Sequence, residues 1–136
     1  MRFAGYAALF DRVDRGGDIV RRGAFARAVA AGPGRVPLLW QHLPGRPIGC
    51  LESIAEDERG LRVIARLSER SDAGREAATL LKDGAVSGLS FGYRVRAADY
   101  RTKRELCDLD LVEVSLVTFP MQPGARVHAV AEDETL

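Results

Sequence analysis

Apolar and polar residues alternate along much of the chain with the two-residue period of β-strands. Segments of this kind are short, rich in branched and aromatic residues, and separated by glycine, proline and charged turns. The strand at 111–119 is apolar on both faces and is therefore predicted to lie in the middle of a sheet. The polar turn 56–60 predicts a hairpin between its neighbours. In all, the pattern predicts strands at 3–10, 36–40, 48–55, 61–67, 89–95, 104–109 and 111–119.

Two segments have helical character instead. Residues 25–31 form a brief alanine-rich run that Gly32-Pro33-Gly34 ends. A longer helix begins at Ser71 or Asp72, either of which can cap free N–H groups, and runs to Lys82. The fold class is therefore predicted to be mainly β (α+β). We expect an antiparallel sheet or small β-barrel of about six to seven strands, flanked by two helices.

Length and composition fit one globular domain with a real core. The chain has 136 residues, of which 46% are hydrophobic. We assign 1–130 to the domain and 131–136 to a polar C-terminal tail, and we expect the charged run 11–18 to be an exposed loop. The formal net charge of +1 offers no broad basic field, so nucleic acid is not expected as a partner. No apolar run approaches the ~20 residues of a membrane span and no signal peptide is recognisable, so a cytosolic protein is expected.

Possible chemistry centres first on His42 and Ser90. His42 closes the apolar run 36–41, where a strand is expected to end at a cleft, and imidazole titrates near neutral pH. Ser90 lies between Gly88 and Gly92, which would let another backbone approach its hydroxyl, although the two glycines also fit a bulged strand with an ordinary serine. A G-x-S-x-G nucleophile elbow is disfavoured, because it needs a helix after the serine and a histidine late in the chain.

Glu113 is the third candidate, because it interrupts an otherwise apolar strand. A buried carboxylate needs a cationic or strongly donating partner. Arg94 or Arg96 on a neighbouring strand would form a structural ion pair with it, whereas His42 would form the orienting half of a catalytic dyad directed at Ser90. The sequence pattern leaves both partners open.

The residue types in the sequence also allow two other kinds of site to be considered, a cysteine hydrolase and a zinc site. A cysteine hydrolase would pair His42 with Cys50 or Cys107, but neither thiol has a glycine frame or an activating neighbour in the sequence. A zinc site built from the same residues and His128 lacks the closely spaced ligand pairs of structural zinc motifs. We therefore predict no metal and no cofactor.

Five ordered blocks of the sequence resemble the tailed-phage prohead proteases, which mature capsids and are distantly related to the herpesvirus assemblins. The resemblance covers most of the chain. The blocks are Gly5-Tyr6-Ala7; Asp18-Ile19-Val20 with Gly23-Ala24-Phe25; Leu39-Trp40-Gln41-His42 with Pro47-Ile48-Gly49; Leu89-Ser90-Phe91-Gly92-Tyr93; and Glu113-Val114-Ser115-Leu116-Val117-Thr118-Phe119-Pro120.

This resemblance implies a serine endopeptidase in which His42 is the general base and Ser90 the nucleophile. Glu113 falls where the phage family places an acidic partner, whereas assemblins use a second histidine, which leaves His128 as the lesser alternative. The implied substrates are the scaffolding segment of a major capsid protein and the protease itself. A non-catalytic capsid-assembly or scaffold module of the same fold is the alternative function.

The resemblance also implies surroundings for the site. The oxyanion would be bound by backbone N–H groups in the turn after the last strong strand, at Met121, Gln122, Gly124, Ala125 or Arg126. Partners would be shell proteins and a second copy of the chain in a homodimer. The expected place of action is the bacterial host cytoplasm, inside immature capsids of a phage, prophage or gene transfer agent.

Overall fold

The computed structural model describes residues 1–100 and 103–132. Most of these residues lie in eight strands, with two short helices and one 3₁₀ turn between them. In chain order the elements are β1 (Arg2–Leu9), β2 (Asp18–Val20), α1 (Ala26–Ala31), the 3₁₀ turn (Pro33–Arg35), β3 (Pro37–Trp40), β4 (Leu43–Glu56), β5 (Gly60–Leu67), α2 (Asp72–Lys82), β6 (Gly88–Asp99), β7 (Arg104–Val117) and β8 (Val127–Ala131).

All eight strands belong to one mixed sheet. Its order is β2-β7-β3-β4-β5-β1-β8, with β6 paired to β7 outside that path. Most pairs are antiparallel, but β2 and β3 both run parallel to β7. The predicted mainly β (α+β) class is confirmed, since 54% of the described residues are strand. Over the described residues the sheet remains open rather than closing into a barrel.

Several strand boundaries differ from the sequence prediction. The two segments 104–109 and 111–119 form the single long strand β7, and β4 begins at Leu43 rather than at residue 48. Strands β2 and β8 were not predicted. Each is short, with three and five residues, and is defined by pairing to a distant strand rather than by its own pattern. Residues 133–136 of the predicted tail lie outside the described residues.

Both predicted helices are present and pack on the sheet. Ser71 is the N-cap of α2, as expected, and its hydroxyl accepts a hydrogen bond from the Gly74 N–H at 3.0 Å. At the start of α1, Phe25 is fully buried and its ring meets Phe91 of β6 edge-on, with centroids 5.2 Å apart. This contact ties the short helix to the strand that carries Ser90. No helix among the described residues has the length and apolar character needed to cross a bilayer.

Candidate active site

Strand β7 brings the three predicted site residues together. It lies between β3 and β6, so that Ser115 of β7 is the register partner of Leu39 on one side and of Ser90 on the other. Glu113, two residues earlier on β7, is opposite Gly92 of β6. The chain emerging from β3 reaches His42 beside these positions. The central position predicted for this strand is what unites segments far apart in sequence.

A strained two-residue turn presents His42. Trp40 and Leu43 are paired across the β3–β4 hairpin, and the two residues between them both have positive φ, 51° at Gln41 and 61° at His42. Such values are uncommon for residues other than glycine, and this pair of signs is that of a type I′ hairpin turn. Strand β7 stabilises the turn, because the Gln41 N–H donates to the Leu116 carbonyl at 3.0 Å.

Further hydrogen bonds fix the same turn from its side chains and backbone. The Gln41 side chain donates to the Thr118 hydroxyl at 2.7 Å and accepts from the Thr118 N–H at 3.1 Å. The His42 N–H donates to the Ser115 hydroxyl at 3.0 Å. The backbone of His42 is therefore held by the fold itself, before any ligand is present.

A continuous hydrogen-bond chain runs through the acid. His42 Nδ1 is hydrogen-bonded to Glu113 Oε1, and the Ser115 hydroxyl donates to Glu113 Oε2 at 2.6 Å. Both carboxylate oxygens are thus satisfied, although Glu113 is only 7% exposed. Ser115 is fully buried and orients both the acid and the His42 backbone. The two-residue period of the strand places Ser115 on the same face as Glu113, but it does not predict this role.

The acid also sets the electrostatics of the imidazole. The hydrogen bond that His42 donates to Glu113, supported by the charge of the carboxylate, raises the pKa of His42 above the ordinary value of 6.5, and partial burial opposes this rise. Because an ionised carboxylate can only accept, Nδ1 carries the proton in neutral His42, and Nε2 is left as a proton acceptor. This is the tautomer that a general base for a hydroxyl needs.

The glycines around Ser90 make room for the protein's own atoms. A Cβ at Gly92 would meet Glu113 Oε1 at 2.6 Å, and one at Gly88 would meet the Val117 carbonyl and Pro120 Cδ at 2.8 Å. The expected open space for a second backbone is therefore occupied at both positions. Gly92 admits the carboxylate, and Gly88 admits the turn after β7.

Ser90 and His42 line one cleft of about 400 Å³. Ser90 is 5% exposed and lines this cleft. The other walls come from two loops, one of which is part of the run 11–18 that was expected to be simply exposed. These walls are Arg15, Gly16, Phe119, Pro120 and Met121.

The predicted oxyanion segment is firmly anchored beside the cleft. Met121 lines it, and the Met121 carbonyl accepts from the Arg15 N–H at 3.1 Å. The buried Gln122 side chain accepts from the Leu9 N–H at 2.7 Å and donates to the Leu9 carbonyl at 2.8 Å.

The remaining members of the segment have other contacts. The Ala125 N–H donates to the Gln122 carbonyl at 2.9 Å, and the Arg126 carbonyl accepts from the Tyr6 N–H at 3.2 Å. Gly124 packs against Leu9, whose Cδ1 lies 2.8 Å from where a Cβ would be. Met121 is the member of the predicted set that faces Ser90 and His42 across the cleft.

The other sequence candidates lie elsewhere. His128 is on β8, where its ring contacts Tyr6 with centroids 5.8 Å apart and its Nε2 accepts from Arg62 at 3.4 Å. Arg96 pairs with Asp110 at 3.2 Å rather than with Glu113. Cys50 and Cys107 are exposed and are not among the walls of the Ser90 cleft. Within residues 1–100 and 103–132, no three potential metal ligands cluster.

Comparisons with known proteins give the family of the chain. A profile of the caudovirus prohead serine proteases matches residues 1–135. The prohead protease of Enterobacteria phage HK97 is 34% identical over 133 residues, which are 94% of this chain and 59% of that protein. The prohead protease of Escherichia phage T5 is 28% identical over 125 residues. The chain thus spans somewhat less than three fifths of the length of these relatives.

The fold is shared with solved proteases. The KSHV protease in complex with a hexapeptide phosphonate inhibitor superposes with a TM-score of 0.64 at 12% identity, covering 93% of this chain and 63% of that one. The capsid assembly protease of bacteriophage T4 gives a TM-score of 0.61 at 15% identity, covering 85% and 80%. At these identities the likeness concerns the fold alone.

Proposed function

Because the chain belongs to the caudovirus prohead serine protease family, we propose that it is a serine endopeptidase of capsid maturation with a Ser90-His42-Glu113 triad. The observation that carries the proposal is the imidazole of His42, which is hydrogen-bonded to Glu113 through Nδ1 and shares a cleft with Ser90. A base with a fixed tautomer beside a buried hydroxyl is the arrangement that nucleophilic catalysis by serine requires.

The reaction follows from these groups. His42 Nε2 takes the proton of the Ser90 hydroxyl as the oxygen attacks the substrate carbonyl carbon, and Glu113 stabilises the imidazolium that forms. The imidazolium then protonates the leaving amine as the C–N bond breaks, which leaves an acyl-enzyme. Water, deprotonated by His42, attacks the ester carbonyl carbon, and the imidazolium returns that proton to the Ser90 oxygen as the ester C–O bond breaks. Backbone N–H groups of Met121, Gln122, Gly124 or Arg126, with Met121 foremost, are proposed to bind the oxyanion, whereas the N–H of Ala125 is already donated to the Gln122 carbonyl.

We propose that the substrate is the scaffolding segment of the major capsid protein, together with the protease chain itself. The site of action would be the interior of the immature capsid in the bacterial host. The support is the family membership and the described cleft, which is open to a peptide. We also propose that the protein is a homodimer, and measuring its mass in solution tests this.

Replacement of Ser90 by alanine tests the function. The protein is co-expressed with the capsid precursor of its own phage, and the precursor's N-terminus is followed by mass spectrometry. We expect the precursor to stay uncut with Ser90→Ala and to be cut by the wild type. Ser53→Ala, a serine of β4 outside the cleft walls, is the matched control and should cut normally. Unchanged processing by a folded Ser90→Ala variant would instead favour the non-catalytic scaffold module.

A further inference from the structure

A second cavity adjoins the Ser90 cleft and shares His42 with it. This cavity has a volume of about 630 Å³, and His42 lines both it and the Ser90 cleft. One set of its wall residues is apolar, and it comes from β3, the first part of β4 and the outer face of β7. The set is Pro37, Leu39, Pro44, Pro47 and Val112. A peptide whose carbonyl carbon lies at Ser90 would have to pass His42, so a residue near its scissile bond would fall in this cavity.

The walls of this cavity are preformed. Proline has a fixed φ, so the three prolines lose little freedom when a ligand binds. A further wall residue, Tyr93, is held by its hydroxyl, which donates to Asp18 at 3.2 Å, and Asp18 is in turn ion-paired with Arg104 at 2.6 Å. Val112 is 43% exposed, so its apolar surface is presented to solvent. Such a cavity suits a large apolar side chain.

The charged residues at the rim of this cavity place a second requirement on the ligand. Apart from Glu113 and His42, which are engaged with each other, Arg94 is the charged residue in the described lining. Asp110 is its register partner on β7, but the Asp110 carboxylate accepts hydrogen bonds from Arg96 at 3.2 and 3.4 Å. Arg94 itself makes no ion pair with another described residue, and its side chain is exposed. A cation beside an apolar cavity is complementary to an acidic group on the ligand.

We propose that this cavity is a specificity subsite that takes a large apolar side chain of the substrate, with an acidic substrate residue beside it paired to Arg94. The inference rests on the proposed peptidase function, and it names the chemistry of the peptides that the site accepts. Arg94 and Val112 are the specificity-determining residues, and neither takes part in the chemical steps.

A binding experiment separates this subsite from catalysis. Immobilised Ser90→Ala protein is incubated with a pool of blocked octapeptides of random sequence, and the retained peptides are identified by mass spectrometry. We expect enrichment of peptides with Leu, Ile, Met or Phe within two positions of Asp or Glu. The enrichment over peptides with alanine at the apolar position should be roughly tenfold, the scale on which a hydrophobic pocket discriminates.

Two substitutions in the Ser90→Ala background, each with a control, test which residues determine the peptides that bind. Arg94→Glu should exchange the preference for acidic residues for one for Lys or Arg, whereas Arg22→Glu, at an exposed arginine that lines neither cavity, should not. Val112→Asp should remove the apolar preference, whereas Val95→Asp, at a residue 38% exposed on β6, should keep it. Retention of no peptides, or the same selection in all four variants, would overturn the subsite. Selection without any cleavage by the wild type would count against the proposed function and leave the subsite standing.

Discussion

Two buried carboxylates on the same sheet have opposite kinds of partner. Asp18 on β2 is 9% exposed and accepts two hydrogen bonds from the Arg104 guanidinium, at 2.8 and 2.6 Å, and one from Tyr93. Glu113 on β7 is 7% exposed and is paired with His42 and Ser115. Asp18 therefore meets a permanent cation, whereas Glu113 meets a base that can gain and lose a proton and a neutral hydroxyl.

The difference indicates which acid supports the fold and which supports chemistry. The Arg104 hydrogen bonds lower the pKa of Asp18 despite the opposing effect of burial, so this pair keeps its charges over the whole neutral range. Glu113 instead raises the pKa of His42, chiefly through their hydrogen bond, so its partner is a group that can gain and lose a proton. A buried acid whose titratable partner lines a cleft is a candidate for a functional role, whereas a buried acid paired with arginine is typical of a structural one.

Replacing each acid by its amide separates the two roles most strongly. Glu113→Gln should lower kcat/KM by roughly 10⁴-fold, because the neutral amide neither fixes the His42 tautomer nor stabilises the imidazolium. Cleavage of the capsid precursor, followed over time with purified protein, measures this loss. A decrease of less than tenfold in a folded variant would remove Glu113 from the triad.

The matched change at the other acid should act on stability instead. Asp18→Asn leaves the Arg104 guanidinium without its counter-charge, and since Arg104 is partly exposed we expect a loss of about 1 to 2 kcal/mol in the free energy of unfolding. Urea unfolding at pH 7 measures it, and kcat/KM should stay within about threefold of the wild type. A large loss of activity without loss of stability would contradict the division of roles.

The smallest expected effect is a shift in the pH dependence of kcat/KM. Since His42 must be neutral to act as base and its pKa is raised, the acid limb of kcat/KM should be centred above pH 6.5 and should move to lower pH in Glu113→Gln. The stability from the His42–Glu113 pair is complete below pH 6.5 and is lost as pH rises through the raised pKa of folded His42.

The stability from Asp18 has the opposite dependence on pH. It is present above the ordinary pKa of 3.8 and is lost only as pH falls through the lowered pKa of folded Asp18. Urea titrations at pH 3 to 9 with the wild type and Asp18→Asn distinguish the two groups.

An acid limb of kcat/KM at the same pH in the wild type and in Glu113→Gln would mean that Glu113 does not control the pKa of His42.

The sequence predicted the strands and helices that carry their own periodicity, and it predicted the central position of the strand with Glu113. It also predicted the candidates His42 and Ser90, which line one cleft. It did not predict β2, because three residues gain their strand identity only by pairing with the start of β7. The turn at Gln41 and His42 was equally hidden, since positive φ without glycine is stabilised by contacts with β7 rather than by local preference.

Similar reasoning explains the missed supporting residues. Ser115 follows Glu113 by two positions, so the sequence places both on one face of the strand. Its two hydrogen bonds, to Glu113 and from the His42 N–H, depend on how β3 lies beside β7. Arg15 and Gly16 belong to a charged run typical of exposed loops, and only the tertiary fold carries them to the cleft. Long-range geometry, rather than composition, decided these positions.

The place of β7 between β3 and β6 has a consequence for how the chain folds during its synthesis. During synthesis, the hairpin bearing His42 and the strand bearing Ser90 leave the ribosome well before residue 113, and until then the parallel partner of β3 does not exist. Such non-local pairing forms late in folding. A nascent copy in which residue 113 has not yet been made therefore lacks the carboxylate to which His42 is hydrogen-bonded.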